Sequence, residues 1–339
     1  MVVLSKTRRC LIAGVGAVTG LGLMAACSSG GGDGESVTIR AGWVPTVHST
    51  HWATTSQFIE DENVTLELSP FKTNNEMFVA MESGSLDMMT MGYNNTATAL
   101  ARDGADYQYI AGVSEGGTRI LVREDLDIES WEDIAGLSVG TAQGSTQYQQ
   151  LVLAMRANGL DIDTDVDYTN IGGAPDMSLA LSRGDVDLVS TWEPSASEAI
   201  EQGMGKEVPA ISESIYEDSF RLNSGLAVRT GFSEEHPEAV QAVVDAYVEA
   251  YEKVSSDEDW WREQFSELAS GTPEGFDLAL ENLTPTVNLE QEQVEQLAAQ
   301  LFEAGLIDQD VTEQMAELLD YSYLEKSTGK STAELGAEG

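Results

Sequence analysis

The chain has 339 residues, 42% of them hydrophobic and 7% aromatic, enough for packed cores and long enough to favour two domains over one. Its 58 Asp and Glu outnumber 17 Lys and Arg, for a formal net charge of -41. That balance excludes a nucleic-acid binder, because neutralising phosphates takes Lys and Arg. The acid is spread over amphipathic helices rather than gathered into tails, which argues for a folded protein over a disordered one.

Arg8-Arg9 precede an apolar run from Leu11 to Ala26 that is broken by Gly14, Gly16, Gly20 and Gly22. The run is shorter than the roughly 20 residues a membrane-spanning helix needs, and it reads as a signal-peptide core. Residues 7–12 resemble a twin-arginine signal, used to export folded protein. Met24-Ala25-Ala26-Cys27 resembles a lipobox, with Met24 where Leu is usual. Residues 1–27 are therefore expected to be a lipoprotein signal peptide, Cys27 the lipidated residue, and residues 28–36 a flexible tether to the cell membrane. The plainer reading is an uncleaved anchor with an incidental Cys27. The only other cysteine is Cys10, so the folded part has neither a disulfide nor a thiolate metal site.

Residues 37–44 are strand-like, 49–62 helical, and 64–68 alternate as a second strand. Thr73 or Asn74 caps a helix to Ser83, residues 86–91 form a third strand, and Asn94 or Asn95 caps a helix to Arg102. Residues 107–113 and 119–122 are two further strands. The pattern then restarts, with strands at 137–140, 166–171 and 186–191 and helices at 146–158, 175–183 and 195–202. A strand at 226–228 returns to the first unit. Helices follow at 238–254, 260–269, 275–282, 289–303 and 311–325, and 326–339 is expected to be a frayed polar tail.

One segment recurs: Ala80, Gly84 and Asp87 match Ala180, Gly184 and Asp187, each set ending a helix in Gly and entering a buried strand. The chain is thus expected to fold as two similar α/β lobes, 37–121 plus 226–325 and 122–225, joined by a two-stranded hinge with a ligand cleft between them.

In such lobes ligands meet the carboxyl ends of strands, where helix N-termini present free N–H groups. Four loops qualify. The first holds Trp43, Pro45 and Thr46; the second Tyr93, Asn94, Asn95 and Thr96; the third Gln143, Gly144, Ser145 and Thr146; the fourth Trp192 and Glu193. Their small and hydroxylic residues suit an oxyanion, and in each loop taken alone they also read as ordinary helix caps. Trp43, Trp192 and Tyr93 either wall the cleft or pack in cores. Glu193 either points away or meets a cationic part of a zwitterion. His48 and His51 stand three apart, but no ligand set such as H-E-x-x-H accompanies them, so no metal is expected. The five methionines between Met77 and Met91 read as core, and Trp260-Trp261 with Phe265 as a helix anchor. No Walker A, strand-borne G-x-G-x-x-G or Cys–His pair is present.

Gly42-Trp43-Val44-Pro45 and the segment from Met81 to Gly92 resemble the first lobe of the nitrate/sulfonate/taurine family of ABC-transporter solute-binding proteins. Residues 121–140, the run from Leu181 to Trp192-Glu193-Pro194, and His236-Pro237-Glu238 are similar to its second lobe and return segment. The resemblance implies a two-lobed type II periplasmic-binding fold with extra C-terminal helices. It further implies a monomer outside the cytoplasm that captures a small anion or zwitterion for an ABC permease and needs no cofactor. The four loops would supply the contacts. Asn94-Asn95 stand where many relatives have small residues or Pro, which leaves the solute open, since the family also includes binders of bicarbonate and of thiamine-precursor pyrimidines. Relatives on this fold that make the thiamine pyrimidine depend on a Cys-rich motif, which the folded part lacks; a sensor role on the same fold stays open.

So acidic a folded chain is expected to come from a halophile. At molar salt the Debye length falls to about 3 Å and self-repulsion is screened. Dialysis of the purified protein from molar into dilute salt should therefore lower its melting temperature steeply. Equal melting in both by circular dichroism would remove the halophilic reading.

Overall fold

The computed structural model describes residues 36–102, 104–269 and 272–338. Cys27, the signal peptide and nearly all of the tether lie outside the described residues. Strands β1 (Val37–Trp43), β2 (Val64–Pro70), β3 (Met88–Gly92) and β4 (Tyr107–Gly116) are separated by helices α1 (Thr50–Thr54), α2 (Asn74–Glu82) and α3 (Tyr93–Leu100). Strands β5 (Thr118–Val122), β6 (Ser138–Thr141), β7 (Asp167–Asn170), β8 (Leu188–Trp192) and β9 (Lys206–Glu207) follow, with α4 (Thr146–Ala157), α5 (Ala174–Arg183), α6 (Ser195–Glu201) and α7 (Pro209–Ser214). Between β10 (Leu222–Arg229) and β11 (Leu283–Pro285) run α8 (Thr230–Glu235), α9 (Pro237–Ser256), α10 (Glu258–Ala269) and α11 (Pro273–Leu280). Last come α12 (Gln291–Glu303), α13 (Thr312–Glu317) and α14 (Ser322–Thr328).

These strands make two mixed sheets, ordered β11-β4-β10-β3-β1-β2 and β7-β6-β8-β5-β9. Each has a parallel part, β3-β1-β2 or β7-β6-β8, met by an antiparallel strand, β10 or β5. The chain crosses between sheets at Gly117 and again after β9. Strand β5 therefore lies wholly in the second sheet, although residues 118–121 were expected in lobe one, and β10 begins at Leu222 rather than 226. The crossing is tight. Gly116 and Gly117 have φ of 76° and 87°, and a Cβ on Gly116 would stand 2.2 Å from the Asn282 carbonyl oxygen.

The repeated segment does the same work in both sheets. Gly84 and Gly184 turn the chain out of α2 and α5 with φ of 73° and 75°. Three residues on, each aspartate clasps the neighbouring parallel strand. The Asp87 N–H donates to the Arg40 carbonyl (2.7 Å) and its carboxylate accepts from the Arg40 N–H (3.0 Å). Asp187 does likewise with Ser138 (2.8 and 2.9 Å). An arginine at or just past the end of the antiparallel strand completes each clasp, Arg229 on Asp87 at 2.9 Å and Arg123 on Asp187 at 3.2 Å. Burial raises the Asp87 carboxyl, but hydrogen bonds from Arg40 and Arg229 outweigh it and hold the group below the usual range.

Each sheet has its own core. Ile39, Met88, Met91, Tyr109 and Val243 lie in the first, Ile120, Val139, Leu151, Leu188 and Ile211 in the second. Met77, Met81, Met88, Met89 and Met91 are all buried in the first core. Trp261 and Phe265 pack with Phe276 and Val47 in a smaller cluster of the C-terminal helices. Among the described residues no helix is long and apolar enough to cross a membrane.

Three expectations give way. The helix expected over 49–62 is a single α turn, Thr50–Thr54, between two 3-10 turns. Thr54 and Thr55 hydroxyls donate back to the carbonyls of Thr50 and His51, a habit that weakens helices. The helix expected over 311–325 breaks at 318–321, where Tyr109 of β4 donates its N–H to the Leu318 carbonyl and its carbonyl accepts from Asp320. The tail does not fray. A capping box of Ser331 and Glu334 starts a 3-10 turn whose Leu335 is fully buried, and the Leu335 carbonyl accepts from the Leu289 N–H.

Candidate functional site

The four loops gather around the crossing at Gly116-Gly117-Thr118. The first is tied to it by packing: Val47 shares a cluster with Leu283, whose side chain would touch a Cβ on Gly117. The fourth is tied by the Glu193 N–H, which donates to the Gly117 carbonyl at 3.1 Å. The third is tied through the first turns of α4, where the Gln147 side chain donates to Thr118 Oγ1 (3.1 Å) and Thr118 Oγ1 donates to Gln150 (2.7 Å). The Ser190 hydroxyl of β8 donates to the Gln147 carbonyl (3.3 Å), joining the third and fourth loops.

The second and third loops meet directly. Helix α3 starts after Gly92, which has no side chain to cap it, so its first N–H groups stay free of intrahelical acceptors. Helix α4 starts after Ser145, whose hydroxyl accepts from the Tyr148 N–H at 3.1 Å. The two helices follow strands of different sheets, yet their N-termini abut. Asn94 is fully buried; its Oδ1 accepts from Thr146 Oγ1 at 2.9 Å and its Nδ2 donates to the Gly144 carbonyl at 3.5 Å. Each N-terminus carries about half a positive charge from its aligned peptides. The point between them is favourable for an anion.

The other expected contacts lie around this point or away from it. Gln143 and Gly144 are exposed, and the Gln143 N–H donates to Asn170 at 2.9 Å. Asn95 is half-buried and reaches Asn75 at 3.4 Å. Thr96 turns inward, bonded to the hydroxyls of Tyr107 (2.9 Å) and Tyr109 (2.6 Å). Tyr93 packs on Tyr109, ring centroids 4.4 Å apart, with its hydroxyl buried and without a partner among the described residues. Trp43 lies in the first core, and Trp192 is half-buried against the cluster of Leu121 and Val189. Pro45 is half-buried, and Thr46 donates to Ser49 at 2.9 Å.

Glu193 neither points outward nor offers itself to a solute. It is fully buried, and Arg119 Nε donates to its Oε1 at 2.5 Å while its Oε2 accepts from the Ser197 N–H at 3.0 Å. Arg119, itself buried, also pairs with Glu207 and donates to the Leu278 carbonyl of α11 at 2.5 Å. The N-terminus of α6 is thus occupied by the chain's own carboxylate. Burial pushes the Glu193 carboxyl above its ordinary range, and Arg119 opposes that push. Arg119 was not singled out in the sequence; a cation at the start of β5 carries no local signal of its partner 74 residues on.

Two further hydroxyls lie at the ends of strands that lead into the third and fourth loops. Thr141 ends β6 and Thr191 lies next to the end of β8; both are fully buried, and neither Oγ1 has a partner among the described residues. Buried hydroxyls rarely go unpaired, so each is a donor in waiting. His51, in contrast, is spent on structure. Tyr247 Oη donates to the Gly112 carbonyl and so takes the His51 Nε2–H at 2.8 Å. Burial, aided by His48, pushes His51 down to about 3 and keeps it neutral. A surface hollow lined by Glu295, Asp310, Glu313 and Glu317 shares no residue with the four loops, and its carboxylates repel anions.

Comparison with known proteins follows this geometry. A family model described as the NMT1-like family matches residues 32–269. The chain is 25% identical over 223 residues to the taurine-binding periplasmic protein of Escherichia coli (strain K12), covering 64% of this chain and 68% of that protein. Its fold is that of the periplasmic aliphatic sulphonate binding protein SsuA from Escherichia coli, with a TM-score of 0.70, 21% identity, and coverage of 82% and 91%. The desulfurization enzyme DSZB is also similar in fold, with a TM-score of 0.65, 16% identity, and coverage of 86% and 99%.

The buried ion pair offers a test of this local architecture. Replacing Arg119 by Met leaves Glu193 buried without a cation and should cost about 3–5 kcal/mol in denaturant melts. The double change Arg119→Met with Glu193→Gln should recover much of that loss. Equal stability of all three proteins would show that the pair does not organise α6.

Proposed function

The chain belongs to the NMT1-like family, and on that premise we propose that it is the extracytoplasmic solute-binding component of an ABC importer, capturing a small oxyanion between its two sheets. The observation that carries this reading is the meeting of the α3 and α4 N-termini, held 2.9 Å apart at Asn94 Oδ1 and Thr146 Oγ1. Free N–H groups at α3, the start of α4, and the hydroxyls of Thr141 and Thr191 offer donors to an anion. Hydrogen bonds to a charged group contribute about 1.5–3 kcal/mol each, so three or four support micromolar binding. The likeness to a protein named as taurine-binding favours a sulfonate.

The state of Glu193 refines this. A carboxylate already held by Arg119 and Ser197 does not receive an ammonium group. A plain alkanesulfonate should bind at least as well as taurine. Binding without turnover is the companion proposal. Among the described residues the Thr141 and Thr191 hydroxyls have no hydrogen-bond partner that could serve as a base, and the folded part has no cysteine to act as nucleophile. Similarity of fold to an enzyme does not by itself import its chemistry.

A thermal-shift screen with ethanesulfonate, taurine, nitrate, bicarbonate and an aminomethylpyrimidine tests the solute class. A true ligand at a hundredfold excess over Kd stabilises by about 2.7 kcal/mol. Ethanesulfonate should raise the melting temperature and taurine no more than it. A shift with the pyrimidine alone would transfer the site to the thiamine-precursor reading, and no shift with any anion would end the oxyanion reading.

Attachment to the membrane through Cys27 completes the proposal, supported by the lipobox-like Met24-Ala25-Ala26-Cys27. Cys27→Ser should move the protein from the membrane fraction to the medium, as read by immunoblot. Unchanged fractionation would leave the anchor to some other feature.

A further inference from the structure

Asn94 joins the two halves of the molecule with the chain's own atoms. It sits at the second position of α3, on the first sheet, and both ends of its amide engage the third loop of the second sheet, Oδ1 at Thr146 and Nδ2 at Gly144. It is fully buried, and Thr146 is 7% exposed, so the bond is shielded from competing water. From Thr146 the contact runs one residue along α4 to Gln147, then to Gln150, and both side chains bond Thr118 in the crossing. Gln150 also donates to the Phe220 carbonyl, on the second crossing just before β10. One helix thus touches the point where the halves meet and both segments about which they would turn.

The electrostatics give the bond its purpose. Closing the halves brings two positive helix ends together, which is unfavourable. The amide oxygen of Asn94 places partial negative charge between them. An anion would do this more strongly, but the amide does it with no solute required. We propose that Asn94 is an affinity-determining strap: it populates the closed arrangement before a solute arrives, and α4 carries that bias to the crossing. A solute then meets an assembled site, and its apparent affinity rises by the fraction already closed. The strap itself stands independently of which solute binds; only its effect on affinity rests on the oxyanion reading.

Pulsed electron resonance distances test the strap. Glu76 on α2 and Asp176 on α5 are exposed, one on each half, and take spin labels as Glu76→Cys and Asp176→Cys in the full chain with Cys10→Ser and Cys27→Ser. With no solute added, the otherwise unaltered protein should show a dominant short distance. Thr146→Val should lower the ratio of short to long distances about fivefold to tenfold, as for one buried hydrogen bond, and Asn94→Ala at least as much, since it also removes the bond to Gly144. The double variant should go no further than Asn94→Ala, which has already lost the bond to Thr146. If Asn94→Ala fails to fold, Thr146→Val probes the bond from its other partner. Identical distributions in all proteins, a dominant long distance in the parent, or multiplying effects of the two substitutions would overturn the strap. Adding ethanesulfonate should restore the short distance in Asn94→Ala and show weaker binding there than in the parent. If the solute-free distances respond as expected but ethanesulfonate changes nothing in any protein, the strap stands and the oxyanion reading falls.

Discussion

The crossing at Gly116-Gly117-Thr118 is the constraint on which the rest of the molecule depends. It must pass a chain from one sheet to the other with no room for a side chain at Gly116, and with positive φ at both glycines. Its polar backbone is then paid off from several sides. Asn223 and Asn282 amides donate to the carbonyls of Gly116 and Thr118, the Gly117 N–H reaches the Asn282 carbonyl, and the Thr118 N–H reaches the Tyr216 hydroxyl. Because β4 and β5 run out of this point, and β3, β6 and β8 end in the loops around it, a fixed crossing also fixes where those loops meet.

Charge is managed by the same economy of position. The chain carries a formal -41, yet its most buried cation, Arg119, is spent on Glu193, Glu207 and a carbonyl rather than on a solute. On the proposed reading, solute recognition is left to helix ends and neutral hydroxyls. Such donors are fixed by the backbone, do not titrate, and cannot be drawn off by the surrounding carboxylates as a mobile lysine would be. An acidic protein could in this way hold the proposed anion site without placing a free cation in it.

Much of the fold is legible from residue pattern, because local signals and the tertiary result coincide there. The repeat of Ala80, Gly84 and Asp87 at Ala180, Gly184 and Asp187 announces two alike sheets, and the shared turn and clasp explain why the glycine and the aspartate recur. The meeting of Asn94 with Gly144 and Thr146 follows from helix starts placed at strand ends. Legibility fails where long-range contacts override local habit. The helix pattern over 311–325 yields to pairing with Tyr109, 209 residues before Leu318 (318 less 109). Trp43 and Thr96 read as cleft residues from their loops, but the first core claims one and the hydroxyls of Tyr107 and Tyr109 the other. Glu193 finds Arg119 only once β5 and β8 are antiparallel neighbours, with Arg119 opposite Thr191. The tail departs from its polar composition for a different reason: Ser331 and Glu334 form a capping box, and the single Leu335 is enough to anchor the turn.

The buried Leu335 has a consequence for how the protein comes into being. The first sheet inserts β10 between β3 and β4, and its core is sealed only by a residue near the far end of the chain. Until β10 has been made, the N-terminal strands have no central partner, and even then their core stays open until Leu335 arrives. Such a molecule gains little from being threaded outward as it is made, and much from completing itself first. If residues 1–27 act as the twin-arginine leader that they resemble, delivery of a finished protein would suit a body that closes this late.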